Sequence, residues 1–289
     1  MRDRVVVVTG AARGIGAATA NELAARGAHV AMIGIEPDRM AALTERLGER
    51  HVWFEADVTD DDALLAAVAG TVARFGRIDA VVANAGIVNY GTVRTADPDA
   101  FARTIDVNVN GVYRTLAATL PYLTTARGYA LVVASLASFV PLPGAAAYAT
   151  AKAGLDALVS TVRLEIAGTG VAIGSAHPCW IDTDMVREAE RALPSFRRMR
   201  AEMPWPARAT TSPERCAAAL ANAIERRSRR VFVPRSAALI PALLPFLRTR
   251  GAEAVMARRV AERVQELDAD IAALAAARVA PTEPIEEGV

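Results

Sequence analysis

Tyr148 and Lys152 stand four residues apart in Tyr148-Ala149-Thr150-Ala151-Lys152. On a helix that spacing sets both side chains on one face, one turn apart. A free phenol has a pKa of about 10 and is a poor base near neutrality. A nearby ammonium favours the phenolate, so the pair can exchange a proton with the oxygen of a reacting carbonyl or alcohol. Each unit of lowering corresponds to about 1.4 kcal/mol, which calls for a close, partly desolvated cation. Of the 33 basic residues, Lys152 is the single lysine and the rest are arginine. Arginine is a rigid fork, whereas a compact ammonium fits a crowded site.

A second constellation lies near the N-terminus. Thr9-Gly10-Ala11-Ala12-Arg13-Gly14-Ile15-Gly16 follows a valine-rich run and opens a helical stretch. Glycines there allow a tight turn and let backbone N–H groups approach a pyrophosphate at the helix N-terminus. The elements that must hold both constellations are short β-branched runs alternating with alanine-rich stretches. Strands are expected at Val5–Thr9, His29–Ile33, Val52–Glu55, Ala80–Ala83, Ala130–Ser135, Val171–Ala176 and Val231–Val233. Alternation with helices predicts a doubly wound parallel sheet, whose right-handed crossovers gather the post-strand loops on one edge. Ser212-Pro213-Glu214 reads as a helix start, a capping serine followed by proline at the first helical position.

Taken together and in order, these segments resemble the short-chain dehydrogenase/reductase family over roughly residues 4 to 235. The glycine turn has the TGxxxGxG spacing, and Tyr148 to Lys152 is YxxxK. Ala56-Asp57-Val58 ends the third strand. Asn84-Ala85-Gly86 ends the fourth, with Ala83 in place of the family's first Asn. Asn108 falls in Val107-Asn108-Val109-Asn110-Gly111, and Ser135 lies 13 residues before Tyr148. Pro178-Cys179-Trp180-Ile181-Asp182-Thr183 resembles PGxxxT, with Cys179 in place of glycine.

The resemblance implies an α/β Rossmann-fold catalytic domain over 1–236, built on a mostly parallel seven-stranded sheet. A helical C-terminal extension over 237–289, frayed at its end, follows. It also implies an NAD(P)-dependent oxidoreductase moving hydride between nicotinamide and a carbonyl or secondary alcohol. Tyr148 is then the acid/base, Ser135 hydrogen-bonds the substrate oxygen, and Asn108 holds a water that links Lys152 to solvent. Lys152 also holds the nicotinamide ribose. The cofactor would lie on Gly10, Arg13, Gly14, Ile15 and Gly16, on Asp57 and Val58 at the adenine, and on Asn84, Ala85 and Gly86. Tyr148, Lys152, Pro178, Ile181 and Thr183 complete that set, Thr183 at the carboxamide. Gly34 occupies the position where a carboxylate would select NAD, and Arg13 can meet a 2′-phosphate. NADP(H) is therefore favoured; Glu36, facing the ribose, would make NAD(H) the alternative.

Other features set bounds. A formal net charge of +1 gives no case for nucleic acid. The N-terminal valine run is too short for a signal peptide. Ala237 to Leu247 is too short to span a bilayer and carries Pro241 and Pro245. Cys179 and Cys216 make no metal or disulfide pattern, which fits reduced thiols in the cytoplasm. A positive φ at Cys179 would cost about 1 kcal/mol. His29, His51 and His177 fall in no motif and read as structural. Ser138 is an alternative to Ser135 at the wrong spacing.

The loop Phe139 to Pro143 and the segment Trp180 to Pro206 should border the substrate. Met185, Val186, Leu193, Phe196, Met199, Met203 and Trp205 point to an apolar one. Arg187, Arg191, Arg197, Arg198 and Arg200 leave a second reading, a 3-oxoacyl thioester on an acidic carrier. A protein that senses NAD(P) without turnover is a third, and a sugar-nucleotide epimerase would need a longer C-terminal domain. Val260, Val264, Leu267, Ile271 and Leu274 predict an amphipathic helix docking on its own subunit or a neighbour, with membrane-surface contact the lesser alternative. Helices near Val112–Leu123 and Ala149–Ile166 match those through which the family associates, so a homodimer or homotetramer is expected.

Overall fold

The computed structural model describes residues 1–203, 208–247 and 249–279. Its centre is β1 (Val5–Thr9), five buried residues of which four are valine. Such a strand is apolar on both faces, and both are covered, as a parallel sheet requires. Six further strands join it: β2 (His29–Gly34), β3 (Val52–Glu55), β4 (Ala80–Ala83), β5 (Tyr129–Val133), β6 (Ala172–Pro178) and β9 (Arg230–Val233). The order is β3-β2-β1-β4-β5-β6-β9, every pair parallel. The sheet order reverses direction at β1 and β4, which opens a crevice at their C-terminal ends.

Helices cover the two faces. On one, α1 (Gly14–Ala25) and α9 (Pro213–Arg226) pack Leu23, Leu220 and Ile224 against Val6 and Val8. On the other are α3 (Asp61–Phe75), α5 (Gly111–Ala126) and α6 (Ala146–Glu165), with Leu64, Leu116 and Leu155 against Val7 and Val81. α2 (Pro37–Leu47) precedes β3, and α4 (Pro98–Ile105) runs into α5 through a π turn at Asp106–Asn110. Ser212 caps α9 by accepting from Arg215 N, with Pro213 behind it, as its sequence signature predicts.

Several strand ends differ from expectation by one residue, and two by two residues. β5 stops at Val133 because Ser135 leaves the ladder to cap a 3₁₀ turn, its Oγ accepting from Ala137 N at 3.1 Å. β6 runs on to Pro178 because its pairing with β9 continues through His177 and Pro178. A two-strand pair, β7 (Trp180–Ile181) and β8 (Thr210–Thr211), starts the segment above the sheet edge. That segment holds α7 (Asp184–Ala192) and α8 (Pro194–Glu202). After β9 come α10 (Leu239–Leu247) and the 30-residue α11 (Arg250–Val279). α11 returns to α8 of the same chain, and Leu267, Ile271 and Leu274 pack there with Leu193, Phe196 and Met199. No described helix is long and apolar enough to cross a membrane.

Candidate active site

The glycine turn is locked to the end of β4. Thr9 Oγ1 accepts from Asn84 N and Ala85 N, and Asn84 Nδ2 donates to the carbonyls of Thr9 and Gly10. Gly10 and Gly14 adopt φ of +63° and +57°, where a side chain is strained. A Cβ on Gly16 would strike the Gly10 carbonyl, and one on Gly10 would come within 2.8 Å of Ala85 Cα. The bare turn at the start of α1 thus presents backbone N–H groups where a pyrophosphate fits. Thr183 closes over it: a Cβ on Gly14 would lie 3.3 Å from Thr183 Cγ2.

Four groups converge beside this turn. Tyr148 occupies the first turn of α6 and Lys152 the next, with Nζ 5.4 Å from the centre of the Tyr148 ring. Lys152 is 4% exposed and donates to the Val133 carbonyl at 2.9 Å. Asn108, fully buried in the π turn, exchanges two 2.8 Å hydrogen bonds with the main chain of Ile87. Gly86 is the shared neighbour: a Cβ there would come within 3.0 Å of Asn108 Oδ1 and 3.6 Å of Lys152 Nζ. π turns inside helices commonly mark functional positions. Ser135 hydrogen-bonds Tyr148.

His177, read from sequence as structural, sits directly behind Ser135. It is wholly buried, with Nδ1 3.1 Å from the Ser135 carbonyl and Nε2 2.9 Å from Ser175 Oγ. Burial pushes its imidazole down to about 4, so it supports Ser135 as a neutral ring. Ser138 is turned away and donates to the Lys152 carbonyl.

Electrostatics correct one expectation. The Tyr148 phenol is raised, not lowered: burial drives it up, and the Ser135 hydrogen bond offsets only part. The Lys152 ammonium faces the ring and the Val133 carbonyl, and burial pushes it down to about 8. Tyr148 is therefore a neutral phenol at pH 7, a proton donor.

Because Lys152 is the single lysine, its titration can be isolated. Between pH 8 and its ordinary value of 10.5, the unfolded chain keeps a proton that the folded chain has released. This group then adds stability as pH rises through that window. The thiols of Cys179 and Cys216 and the phenols of Tyr90 and Tyr129 are pushed up by burial and act in the opposite sense, so the measurement is a difference. Relative to Lys152→Met, the wild type should gain about 3 kcal/mol across the window. Denaturant melts below, within and above it check this; a flat difference refutes it.

The remaining sequence candidates scatter around this centre. Asp57 is bound by Thr59 and Arg103; burial pushes its carboxyl up, but those hydrogen bonds outweigh it and hold the pKa below the usual range. Val58 packs under Gly111. Ile15 lies against the core, and Pro178 and Ile181 end β6 and β7. Cys179 is absent from the positive-φ residues, so the strain considered for it does not arise. Its thiol is raised by burial, which keeps it unreactive. Arg13 is held 2.9 Å from Glu36, which also takes Arg39.

Phe139 departs from its expected place: it turns back to stack on His177 and Phe232 instead of bordering substrate. Its loop contributes further on, where Gly144 receives Leu267 of α11. Among the lid residues, Phe196 and Leu193 are buried, whereas Trp205 lies outside the described residues.

Tyr90 was missed from sequence, having no motif. It packs on Phe196 at 5.1 Å, and Trp180 meets the same ring at 5.6 Å. Burial raises the Tyr90 phenol, the Tyr148 phenol adds to that, and Arg200 opposes it. Arg200 is buried over Trp180 and paired with Glu190, while Arg187 and Arg198 pair with Asp182, Asp184 and Glu266.

This geometry can be set beside known proteins. The family model for short chain dehydrogenases matches residues 4–194. The chain belongs to that family. A trans-4-hydroxycyclohexanecarboxylate dehydrogenase of Sinomonas cyclohexanicum is 34% identical over 200 residues, 66% of this chain and 77% of that protein. A 2-(R)-hydroxypropyl-CoM dehydrogenase of Xanthobacter autotrophicus is 33% identical over 193 residues, 64% and 77% of the two chains. Among solved structures, an alcohol dehydrogenase of Thermococcus sibiricus complexed with 5-hydroxy-NADP superposes with a TM-score of 0.68 at 28% identity. It covers 80% of this chain and 95% of that one. As a member of this NAD(P)-using family the chain is an oxidoreductase of alcohols or ketones. The matched segment ends where α8 begins, so α8 through α11 lie beyond it.

Proposed function

We propose that this dehydrogenase interconverts a medium-sized or bulky apolar ketone and its secondary alcohol with NADP(H), and that it does so as a homo-oligomer through the α5 and α6 faces. The observation that carries the reading is the meeting of Tyr148, Ser135, Lys152 and Asn108 beside the bare glycine turn, under a cover of Tyr90, Trp180 and Phe196. Residues 1–236 form its catalytic domain and 237–289 its extension, in which α11 packs on the lid helix α8.

The glycine turn fits a dinucleotide because its Cβ-free positions leave backbone donors open. The bound nicotinamide supplies the hydride. The chain supplies the rest. Ser135, backed by neutral His177, donates to the substrate oxygen. Tyr148, a neutral phenol, gives that oxygen its proton as negative charge develops. Lys152, still charged at pH 7, stabilises the resulting phenolate and holds the ribose hydroxyls. Because the side-chain amide of Asn108 is spent on Ile87, a water leading to solvent would rest on its main chain. The protonated phenol is the form of Tyr148 that the reduction step uses.

The cover is apolar, and its buried arginine is already neutralised by Glu190, so it offers little to an anionic carrier. Relatives named for hydroxycyclohexanecarboxylate support a ring-bearing alcohol or ketone as a starting class. A turnover screen with NADPH tests this, using ketones graded by size and polarity at low and high salt and including a 3-oxoacyl thioester. Bulky apolar ketones should react best, with little salt dependence. Preference for small polar ketones, or for the thioester with a KM that salt raises, overturns the substrate assignment. Cofactor binding without turnover across the panel favours a sensor.

For the cofactor, an acidic side chain at Gly34 would crowd Met40, whose Sδ lies 3.1 Å from a Cβ there. The ribose edge instead carries Arg13 and Arg39 around Glu36. Arg13→Ala should weaken NADP binding about tenfold or more, the value of one charged hydrogen bond, and leave NAD binding unchanged. Dissociation constants for both cofactors decide it. Tighter NAD binding in the wild type, or an unchanged ratio in the variant, refutes the preference.

A further inference from the structure

α10 is inside out. Its sequence, Leu-Ile-Pro-Ala-Leu-Leu-Pro-Phe-Leu, carries no charge, and its apolar side chains at 239, 243 and 246 repeat at one helical face. That face is turned to solvent: Leu239 is 59%, Leu243 51% and Phe246 71% exposed. Val255 and Met256, on the first turns of α11, are exposed as well. A contiguous apolar surface of this kind calls for a partner.

The charge around it indicates which one. From Arg235 to Arg259 the sequence holds five arginines (235, 248, 250, 258 and 259) and a single acid, Glu253, a net of +4, although the whole chain is only +1. The rest of the molecule is therefore net negative, and the basic charge is concentrated beside the apolar face. Arg235, Arg250 and Arg258 are exposed. Two such faces meeting in a symmetric dimer would bring like charges together. An anionic lipid surface complements both features, because acyl chains take the apolar side chains and headgroups take the guanidiniums. α10 spans nine residues, enough to lie in the interface and too short to cross it.

We propose that α10 and the first turns of α11 form a docking element for an anionic lipid bilayer. It follows the C-terminal end of β9, the sheet edge that carries the active site, and α11 continues from it to the lid helix α8. The docking does not depend on which carbonyl the enzyme reduces.

Sedimentation of the full-length chain with phosphatidylcholine vesicles, with and without about 30 mol% phosphatidylglycerol, tests it. Binding is expected to the anionic vesicles, to fall with added salt, and to be weak on neutral ones. Leu243→Glu with Phe246→Glu, both on exposed positions, should cut the bound fraction at least about tenfold while the circular dichroism spectrum and NADPH affinity stay unchanged. Arg250→Glu with Arg258→Glu should do the same on anionic vesicles. Absence of binding to anionic vesicles overturns the proposal, as does equal binding by the variants. If the Leu243/Phe246 variant instead lowers the mass by light scattering and neither protein binds lipid, the face is an interface between copies and the proposal fails.

Discussion

Tyr148→Phe should lower kcat by between about 100- and 10,000-fold while NADPH still binds, because the substitution deletes one oxygen and little else. The ring remains, so its packing beside Lys152 persists. What disappears is the proton donor, and with it the hydrogen bond shared with Ser135. The nearest other phenol, Tyr90, cannot take over readily: burial and the surrounding oxygens raise it well above its ordinary value. On the proposed reading cofactor affinity rests mainly on the glycine turn and on Lys152, neither of which the substitution touches. Loss of one hydrogen bond costs about 1 kcal/mol of stability, so the variant should fold and can be assayed. Steady-state kinetics on the best ketone from the screen, with NADPH binding measured separately, gives the answer. Undiminished turnover would remove Tyr148 from the chemistry. Loss of NADPH binding along with turnover would mean that the phenol holds the cofactor instead of supplying the proton.

The residues that drive this prediction were legible in sequence because their geometry is local. Tyr148 and Lys152 are one helical turn apart, and Gly10, Gly14 and Gly16 form one turn after one strand. Parallel register followed from valine-rich runs such as Val5 to Val8, which have no polar face to show to water. What sequence left hidden depends on contacts between distant segments. Tyr90 belongs to no motif, and only the packing of Phe196 on it reveals that it joins the apolar cover. His177 was read only as structural, and its support of Ser135 depends on the pairing of β5 with β6. Phe139 follows Ser135 closely and would border substrate by order alone, yet its ring packs against His177 and Phe232. The raised phenol of Tyr148 was misjudged because charge proximity was weighed without the burial that opposes it.

α11 shows the same limit, and it carries the second large effect. The lid helix α8 begins after Leu193, which offers no side-chain cap. Asp270, 75 residues away on α11, supplies one: its Oδ2 accepts from Ser195 N at 2.8 Å. A carboxylate there satisfies an orphan donor and suits the positive end of the helix dipole. Two residues earlier, Asp268 accepts from Thr92 and Thr95 in the loop after β4 and pairs with Arg94. Next to Asp268, Leu267 is buried against Gly144, four residues before Tyr148, and joins Phe196 and Leu193. The seam left between α8 and α11 is about 10 Å³, too small for more than one water. One helix thus fixes the lid, the β4 loop and the approach to Tyr148 together.

Leu267→Asp breaks that joint at its centre. It removes the apolar burial of one leucine, worth about 1.5–3 kcal/mol, and puts a carboxylate into a largely apolar seam whose lining cation, Arg263, is already paired with Glu202 and Glu266. With the lid unlatched, the apolar cover of Tyr90, Trp180 and Phe196 no longer closes on substrate. KM for the bulky ketone should rise about 10- to 100-fold, the same free energy expressed as binding. NADPH affinity should not change, because Leu267 packs on α8 and Gly144 and not on the glycine turn. Asp270→Ala should act in the same sense and more weakly, since a helix cap is worth about 1 kcal/mol. Limited proteolysis supplies a structural readout: cleavage in the segment joining α10 to α11 should accelerate in Leu267→Asp while the sheet domain stays intact. An unchanged KM in a variant whose α11 has become protease-sensitive would show that the helix braces the fold without shaping the substrate site.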